Sequence, residues 1–185
     1  MRKIWVKAWM TLDGVFDADT MDQWWNPYDS AERQKYILEG YSRGDVYLLG
    51  RTTYEMLWPF WSTQTNDDDG PGRILNRMKK YVVSTTLKTA PWKESTIIKG
   101  NVVEEITKLK HQTGNDIIID GSASLVQSLM GTDLIDEFRF LVQPIIMGKG
   151  RRFFTDGMPQ TKLRLVESKT LSLGVLALIY QPDKK

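Results

Sequence analysis

A glycine, an arginine and two threonines occupy residues 50–53, directly after a short apolar run. The run, residues 46–49, predicts a strand, and the residues after the glycine are compatible with a helix. The first amide groups of such a helix have no partner within it, and the positive end of its dipole lies there. This turn could therefore bind a phosphate through backbone amides, a guanidinium fork and two hydroxyls, supplied by Gly50, Arg51, Thr52 and Thr53. A capped helix with an exposed arginine is the alternative interpretation.

A second turn of the same kind follows residues 117–119, an isoleucine run typical of a strand buried on both faces. The chain then passes through Asp120 and Gly121 into apolar residues at helical spacing. Gly121 permits close approach by a ligand, and Ser122 and Ser124 can cap the helix or bind an oxygen. An ordinary loop with a serine cap is the alternative. Two such turns suit a dinucleotide lying across the carboxyl ends of strands, although the absent G-x-G-x-x-G fingerprint disfavours a Rossmann domain.

Strands and helices must alternate along the chain to position these two turns. Hydrophobic patterns predict strands at residues 4–10, 46–49, 81–83, 96–98 and 117–119, and helices at 52–58, 73–78, 102–112 and 123–130. Pro59 is expected to end the helix over 52–58. A further helix is predicted after Asp29, which would form an N-cap pair with Glu32. This alternation indicates a mainly parallel sheet.

The last third of the chain changes character. Residues 137–146, 163–171 and 175–180 have strand patterns, and Ser172-Leu173-Gly174 predicts a hairpin between the last two. The predicted fold is a single α/β domain over residues 1–185. Its mainly parallel central sheet would end in antiparallel C-terminal edge strands, with helices on both faces.

Composition excludes several classes of function. The net charge of +2 is too balanced for a nucleic-acid surface, and no apolar run is long enough to span a membrane. No cysteine is present, and His111 is the only histidine, so thiolate catalysis, Cys-ligated metals and multi-histidine metal sites are excluded. Residues 67–70 lack the ligand spacing of a calcium loop and are interpreted as a flexible acidic turn. A cytoplasmic location is the expectation.

The motifs, in this order, resemble the dihydrofolate reductase-like superfamily, and more closely its branch related to the C-terminal reductase domain of the bifunctional riboflavin-biosynthesis deaminase/reductase. Each motif is loose alone, whereas their order and spacing are specific and cover the chain from the first strand to the terminal hairpin. The matching segments are Thr11-Leu12-Asp13-Gly14-Val15, Leu48-Leu49-Gly50-Arg51-Thr52-Thr53-Tyr54-Glu55, Lys80-Tyr81-Val82-Val83-Ser84, Asp120-Gly121-Ser122-Ala123-Ser124-Leu125-Val126, Asp136-Glu137 and Pro144-Ile145-Ile146-Met147-Gly148-Lys149-Gly150.

The resemblance implies the superfamily's three-layer fold and NADPH-dependent reduction of a small heterocyclic or carbonyl substrate. The activity would be like that of a 5-amino-6-(5-phosphoribosylamino)uracil reductase or a dihydrofolate reductase. Cofactor phosphates would bind at Gly50, Arg51, Thr52 and Thr53, and the adenosine ribose with its 2′-phosphate would lie near Ser84 and Thr85. The pyrophosphate and nicotinamide would lie against Gly121, Ser122, Ala123 and Ser124. A mobile loop over the nicotinamide would consist of Asp13, Gly14, Val15 and Phe16.

Some residues depart from the folate reductase pattern or allow two interpretations. Ser122 replaces the second glycine of the phosphate turn, and Asp29 is the candidate for the carboxylate that assists protonation, with an N-cap role as the alternative. The tryptophans would line a planar-substrate pocket or pack loops on the core: Trp24, Trp25, Trp58 and Trp61. The cations after Gly148 would receive a substrate phosphate or form a solvated basic turn: Lys149, Arg151 and Arg152.

A non-catalytic, dimeric nucleotide- or ligand-binding protein is the alternative function, since few acid–base residues are present. Beyond a small-molecule substrate, we expect a homodimer, because the strand at 137–143 and the terminal hairpin offer edge surface and the resembled branch tends to dimerise. No nucleic acid or membrane partner is expected. NADPH should be preferred to NADH, since Arg51, Ser84 and Thr85 offer donors to a 2′-phosphate and no acidic residue ends the strand at 81–83. Lys80 or Lys99 is the alternative to Arg51 as the source of the positive charge.

Overall fold

The computed structural model describes residues 1–65 and 70–183, which form one eight-stranded sheet with helices on both faces. The strands run in the order β4-β3-β2-β5-β1-β6-β8-β7 across the sheet. Their bounds are Ile4–Thr11 (β1), Gly44–Gly50 (β2), Lys79–Val83 (β3), Ser95–Ile98 (β4), Asp116–Asp120 (β5), Glu137–Gln143 (β6), Leu163–Thr170 (β7) and Leu176–Pro182 (β8). The acidic turn predicted at residues 67–70 falls largely on residues outside the described ranges.

The six strands from β4 to β6 are mutually parallel, and β8 pairs antiparallel with both β6 and β7. This confirms the predicted mixed sheet with an antiparallel C-terminal end. The prediction that the strand at 137–143 offers edge surface was wrong, because β6 is an inner strand between β1 and β8 and has no free edge. The free edge on that side is β7, whose eight residues are all exposed.

Helices cover both faces of the sheet and make three layers. They span Met21–Trp24 (α1), Ala31–Tyr41 (α2), Arg51–Trp61 (α3), Pro71–Arg77 (α4), Val102–His111 (α5) and Ala123–Leu129 (α6), with 3₁₀ turns at Ala18–Thr20, Asn26–Tyr28 and Ser172–Gly174. On one face, α5 and α6 bury Ile106 and Val126 against the strands. On the other, α2, α3 and α4 bury Tyr41, Tyr54 and Leu75. No helix in the described ranges is long and apolar enough to cross a membrane.

Two predicted helix boundaries were wrong. Helix α3 continues through Pro59 to Trp61. Because Pro59 and Glu55, four residues before it, are both exposed, water can satisfy the carbonyl that the proline leaves without an amide donor. The N-cap of α2 is Ser30, whose hydroxyl accepts from the Arg33 amide, and not Asp29. Asp29 lies one residue too early to reach that amide and binds side chains instead.

Candidate cofactor and substrate site

The predicted cofactor residues all lie along one edge of the sheet. Because β3, β2, β5 and β1 are adjacent and parallel, their carboxyl ends meet there. Residues 84–85 follow β3, residues 50–53 comprise the last residue of β2 and the three after it, residues 121–124 follow β5 and residues 13–16 come shortly after β1. Ligands of open α/β sheets bind outside the carboxyl ends of the strands, so this edge is the candidate site.

The two glycine turns touch each other directly. The Gly50 amide donates to Ser122 Oγ at 2.8 Å, and Ser122 Oγ in turn donates to Thr53 Oγ1 at 2.9 Å. The Gly50 amide is therefore already bonded within the protein, and a role for Gly50 in phosphate binding stays a prediction. No side chain among the described residues caps the start of α3, so its first-turn amides, from Arg51 to Thr53, remain available to an anion.

The backbone of the second turn is left-handed at two consecutive residues, with φ of 53° at Gly121 and 52° at Ser122. A Cβ on Gly121 would lie 2.7 Å from Phe16 Cζ, so only glycine lets the phenyl ring pack there. For serine the left-handed conformation costs roughly 1–2 kcal/mol. The buried Ser122 hydroxyl offsets this cost through its bonds to the first turn, and it does not cap α6.

Substitutions of Ser122 should separate backbone strain from the hydroxyl bridge. Ser122→Ala keeps the left-handed strain and leaves the Gly50 amide without its acceptor, so we expect the unfolding free energy to fall by about 1–2 kcal/mol. Ser122→Gly loses the same bridge but relieves the strain, so its stability should lie between alanine and wild type. Urea denaturation of the wild-type protein and the two variants measures the unfolding free energies. Equal losses of stability in the alanine and glycine variants would contradict backbone strain at Ser122.

Arg51 lies beside both turns with an exposed side chain. Its Nε is 3.9 Å from Glu55 Oε2, a loose surface ion pair that leaves the guanidinium free to turn toward a ligand. Thr52 is exposed as well, whereas Thr53 is partly buried against Ser122. The first turn of α3 thus combines uncapped amides, one hydroxyl and one cation at the positive end of an eleven-residue helix.

At the end of β3 the structure assigns different roles to the two predicted residues. The buried Ser84 hydroxyl accepts from the amides of Thr86 and Leu87 at 3.2 and 2.9 Å, so it closes its own turn. Thr85 is exposed. A cleft of about 390 Å³ opens nearby between β3, β4 and α5, and exposed Lys99 lies on its wall. Lys99 is one of the two lysines that sequence analysis named as alternatives to Arg51 for the 2′-phosphate, and the other, Lys80, is fully buried.

The loop predicted to be mobile, residues 13–16, is fastened in the structure to the segment after β6. Val15 forms an antiparallel bridge with Arg152, and the Phe16 amide donates to the Arg151 carbonyl at 2.7 Å. The Asp13 carboxylate accepts from the Thr11 hydroxyl at 2.5 Å and from the Gly148 amide at 2.9 Å. These bonds, that of Thr11 first, hold the pKa of Asp13 below its usual value. The loop is thus closed against its neighbour.

Asp29 forms an ion pair with Arg33 at 2.8 Å and accepts from Gln34 Nε2 at 2.8 Å. Glu32, its predicted capping partner, instead bonds Ser172 at 2.9 Å and Lys169 at 3.1 Å. Both Asp29 oxygens therefore act as acceptors that hold Arg33 in place. A role for Asp29 as a proton donor stays a prediction.

A buried polar network lies beneath the edge, and sequence analysis missed it. Lys7 Nζ lies 2.9 Å from Asp120 Oδ2, which also accepts from the hydroxyls of Tyr41, at 2.6 Å, and Tyr47. Burial lowers the pKa of Lys7, and the Asp120 charge partly opposes this. A lysine within the first predicted strand and an aspartate directly after the isoleucine run were the available signal, because charges that become buried must pair.

Lys7 also ends a stack of aromatic and cationic groups. Its Nζ lies 4.2 Å from the Trp9 ring centroid, Trp9 stacks on Trp25 at 3.9 Å, and the Arg33 guanidinium covers Trp25 at 3.7 Å. Both faces of both indoles are occupied. Trp24 and Trp25 are buried and therefore pack the core, and they do not form a platform for a planar substrate. Trp58 and Trp61, which belong to α3, are half-buried and also pack on the core.

The chain is similar to known proteins along nearly its whole length. The chain is 29% identical to an uncharacterized protein, YyaP, of Bacillus subtilis, over 97% of this chain and 94% of that protein. It is 28% identical to a second, YwjB, over 90% of each. A solved structure titled as a riboflavin biosynthesis protein of Shewanella superposes with a TM-score of 0.74 at 24% identity, covering 98% of this chain and 99% of that one.

A bifunctional deaminase and 5-amino-6-(5-phosphoribosylamino)uracil reductase of Thermotoga maritima has the same fold, with a TM-score of 0.69 at 15% identity. The likeness covers 98% of this chain and 56% of that longer protein. The model of the RibD C-terminal domain family matches residues 2–177. The match to this family of reductase-like domains supports a reductase-like function for the chain. A match over this length shows that the chain belongs to the RibD C-terminal domain family.

Proposed function

We propose that the protein is an NADPH-dependent reductase of a small heterocyclic or carbonyl substrate. The observation that carries the proposal is the contact between the two glycine turns, with uncapped amides and Arg51 beside it. These groups form a cradle for a pyrophosphate. The family match supports a reductase. A reaction whose hydride comes from a cofactor also suits this edge, because the chain offers few acid–base side chains there. NADPH, when bound, would supply the hydride.

The residues along the edge suit the separate parts of a dinucleotide. Arg51, Thr52 and the first-turn amides of α3 would hold the phosphates. Thr85 and Lys99 would reach the adenosine end, in or beside the cleft of about 390 Å³. Phe16, packed against Gly121, would cover the reacting ring and exclude water. The substrate would accept one hydride and one proton, so that a C=O or C=N bond becomes CH–OH or CH–NH.

Two measurements test the proposal. Titration with NADPH, followed by quenching of tryptophan fluorescence, should saturate at micromolar concentration. NADPH oxidation is then screened against pteridine, pyrimidine and quinone-like acceptors. Binding with turnover supports the reductase, and binding without turnover of any acceptor supports the alternative of a nucleotide-binding protein. Absence of NADPH binding would contradict both.

The protein should bind NADPH at least about tenfold more tightly than NADH, the scale of one charge-assisted hydrogen bond to the 2′-phosphate. Arg51 and Lys99 are the exposed cations that would supply this bond, and Thr85 adds a hydroxyl. Parallel fluorescence titrations with the two cofactors measure the ratio. Lys99→Ala should reduce it, and equal affinities in the wild-type protein would contradict the prediction.

We also propose that the protein forms a homodimer through β7. All eight residues of this edge strand are exposed, among them Leu163, Leu165 and Val166. An apolar edge with unpaired backbone groups is usually covered, and a two-fold axis would let it pair with itself. Sedimentation at micromolar concentration should give about twice the chain mass, and a single species near 21.4 kDa would contradict the proposal.

A further inference from the structure

Resting on the proposed reductase function, we infer that the substrate of this site is an uncharged, largely apolar ring that carries no phosphate. The inference concerns the end of the carboxyl edge beside β1 and β6. The dinucleotide would take the turns after β2, β3 and β5, so the substrate must approach from the β1 and β6 side. Two segments border that side, residues 12–33 and 145–152, and we call them the substrate mouth.

The arginines of the substrate mouth are held by its carboxylates. Arg151 lies 3.2 Å from Asp19 and 4.0 Å from Asp17, and its amide donates to Asp17 Oδ2 at 3.4 Å. Arg152 donates to the Asp13 carbonyl, and its Nη2 lies 3.8 Å from the Asp13 carboxylate. These are the cations that a substrate phosphate would need, and they already fasten one segment to the other.

Arg33, the remaining arginine of the mouth, is equally engaged. Its side chain is 2% exposed, donates to the Trp25 carbonyl at 2.7 Å and pairs with Asp29 at 2.8 Å. Among the described residues of the two segments, only Lys149 is a cation outside an ion pair, and it lies on an exposed turn. One mobile ammonium is a weak receptor for a phosphate, which is usually bound by several fixed donors.

The charge of the mouth also opposes a phosphate. The two segments together contain six carboxylates and four cations, a net charge of −2. A phosphate ester brings a further charge of roughly −1.5 to −2 at neutral pH. It would have to break ion pairs that hold residues 13–19 in place, or bind next to the carboxylates and be repelled by them.

Apolar side chains at the mouth favour an uncharged ring. Leu12, directly after β1, is 62% exposed, and Ile146, shortly after β6, is 71% exposed. The Leu12 amide donates to the Ile145 carbonyl at 2.9 Å, which holds these two segments side by side. Partly buried Phe16 extends the apolar surface toward Gly121. An apolar acceptor would cover these side chains, in contrast to the phosphoribosyl substrate named for the Thermotoga protein.

The test uses pairs of probes that share a ring and differ in the phosphate: riboflavin and riboflavin 5′-phosphate, and pyridoxal and pyridoxal 5′-phosphate. Dissociation constants are measured by probe fluorescence on protein saturated with NADP⁺ at low ionic strength. We expect the unphosphorylated member to bind at least about tenfold more tightly in each pair. Preference for a phosphorylated member in either pair, equal affinities, or no binding of either unphosphorylated ring would overturn the inference.

A double variant, Asp17→Asn with Asp19→Asn, releases Arg151 and lowers the negative charge of the mouth. It should improve binding of the phosphorylated probes several-fold and leave riboflavin nearly unchanged. Glu104→Gln, on the exposed face of α5, is the matched control and should leave both affinities unaltered. NADPH titration without an acceptor is a separate measurement: its failure refutes the proposed function, whereas intact NADPH binding with a phosphate preference refutes only this inference.

Discussion

Replacing Arg51 with alanine should weaken NADPH binding by about ten- to hundredfold and leave the unfolding free energy nearly unchanged. A guanidinium fork on a phosphate makes charge-assisted hydrogen bonds worth roughly 1.5–3 kcal/mol. In the folded protein Arg51 has only the loose contact with Glu55 at 3.9 Å, which stabilises little. Fluorescence titration gives the affinity, and thermal unfolding of the same variant gives the stability.

Two further variants sharpen this measurement. Lys35→Ala removes a comparable exposed ion pair, 4.0 Å from Glu39 on α2, and should change neither affinity nor stability. Arg51→Lys should recover only part of the affinity, because an ammonium cannot reproduce the bidentate fork. An unaltered NADPH affinity in Arg51→Ala would remove Arg51 from the site and weaken the reductase proposal.

Replacing Lys80 with methionine should stabilise the protein more at pH 7 than at pH 10, by a difference of about 2–3 kcal/mol. The Lys80 side chain is fully buried, and its Nζ donates to the Asn76 carbonyl at 3.0 Å. Burial lowers the pKa of Lys80 to about 8, which the Glu94 charge only partly opposes. Folding below pH 8 must therefore bury a charged ammonium.

The sign of the effect follows from proton linkage. The unfolded chain keeps the Lys80 proton up to a pKa near 10.5, whereas the folded protein releases it near 8. The destabilisation is complete below pH 8 and disappears as the pH rises toward 10.5, so wild-type stability should rise over this range relative to Lys80→Met. Urea denaturation at both pH values measures it. Lys79→Met, its exposed neighbour, should show no such difference, and an equal response of the two variants would refute the buried charge.

The sequence predicted the sheet, and the strand ends that carry the candidate site residues, because both depend on local signals. Apolar β-branched runs define strands such as residues 117–119, and a glycine directly after such a run marks a turn at a strand end. Parallel strands then place all such turns on one edge. The segments carrying Gly50 and Gly121 could therefore be assigned together before any coordinates were known.

Details that depend on tertiary contacts could not be predicted. Whether Ser122 caps its own helix or bonds Gly50 depends on the spacing of β2 and β5. The pairing of Lys7 with Asp120 joins residues far apart in the chain, and no local pattern brings the two together. Ser30 and Asp29 are equally good N-cap types, and only the start of α2 decides between them.

The central position of β1 affects how the chain must fold as it is synthesised. Strand β1 leaves the ribosome before both of its partners: it pairs on one side with β5, where Ile4 faces Ile117, and on the other with β6, where Val6 faces Phe138. Such distant pairings slow folding, and Ile4, Trp5 and Val6 stay exposed in the nascent chain until both partners emerge. Chaperone dependence during translation should therefore concentrate on this segment and end only after residue 143 has been made.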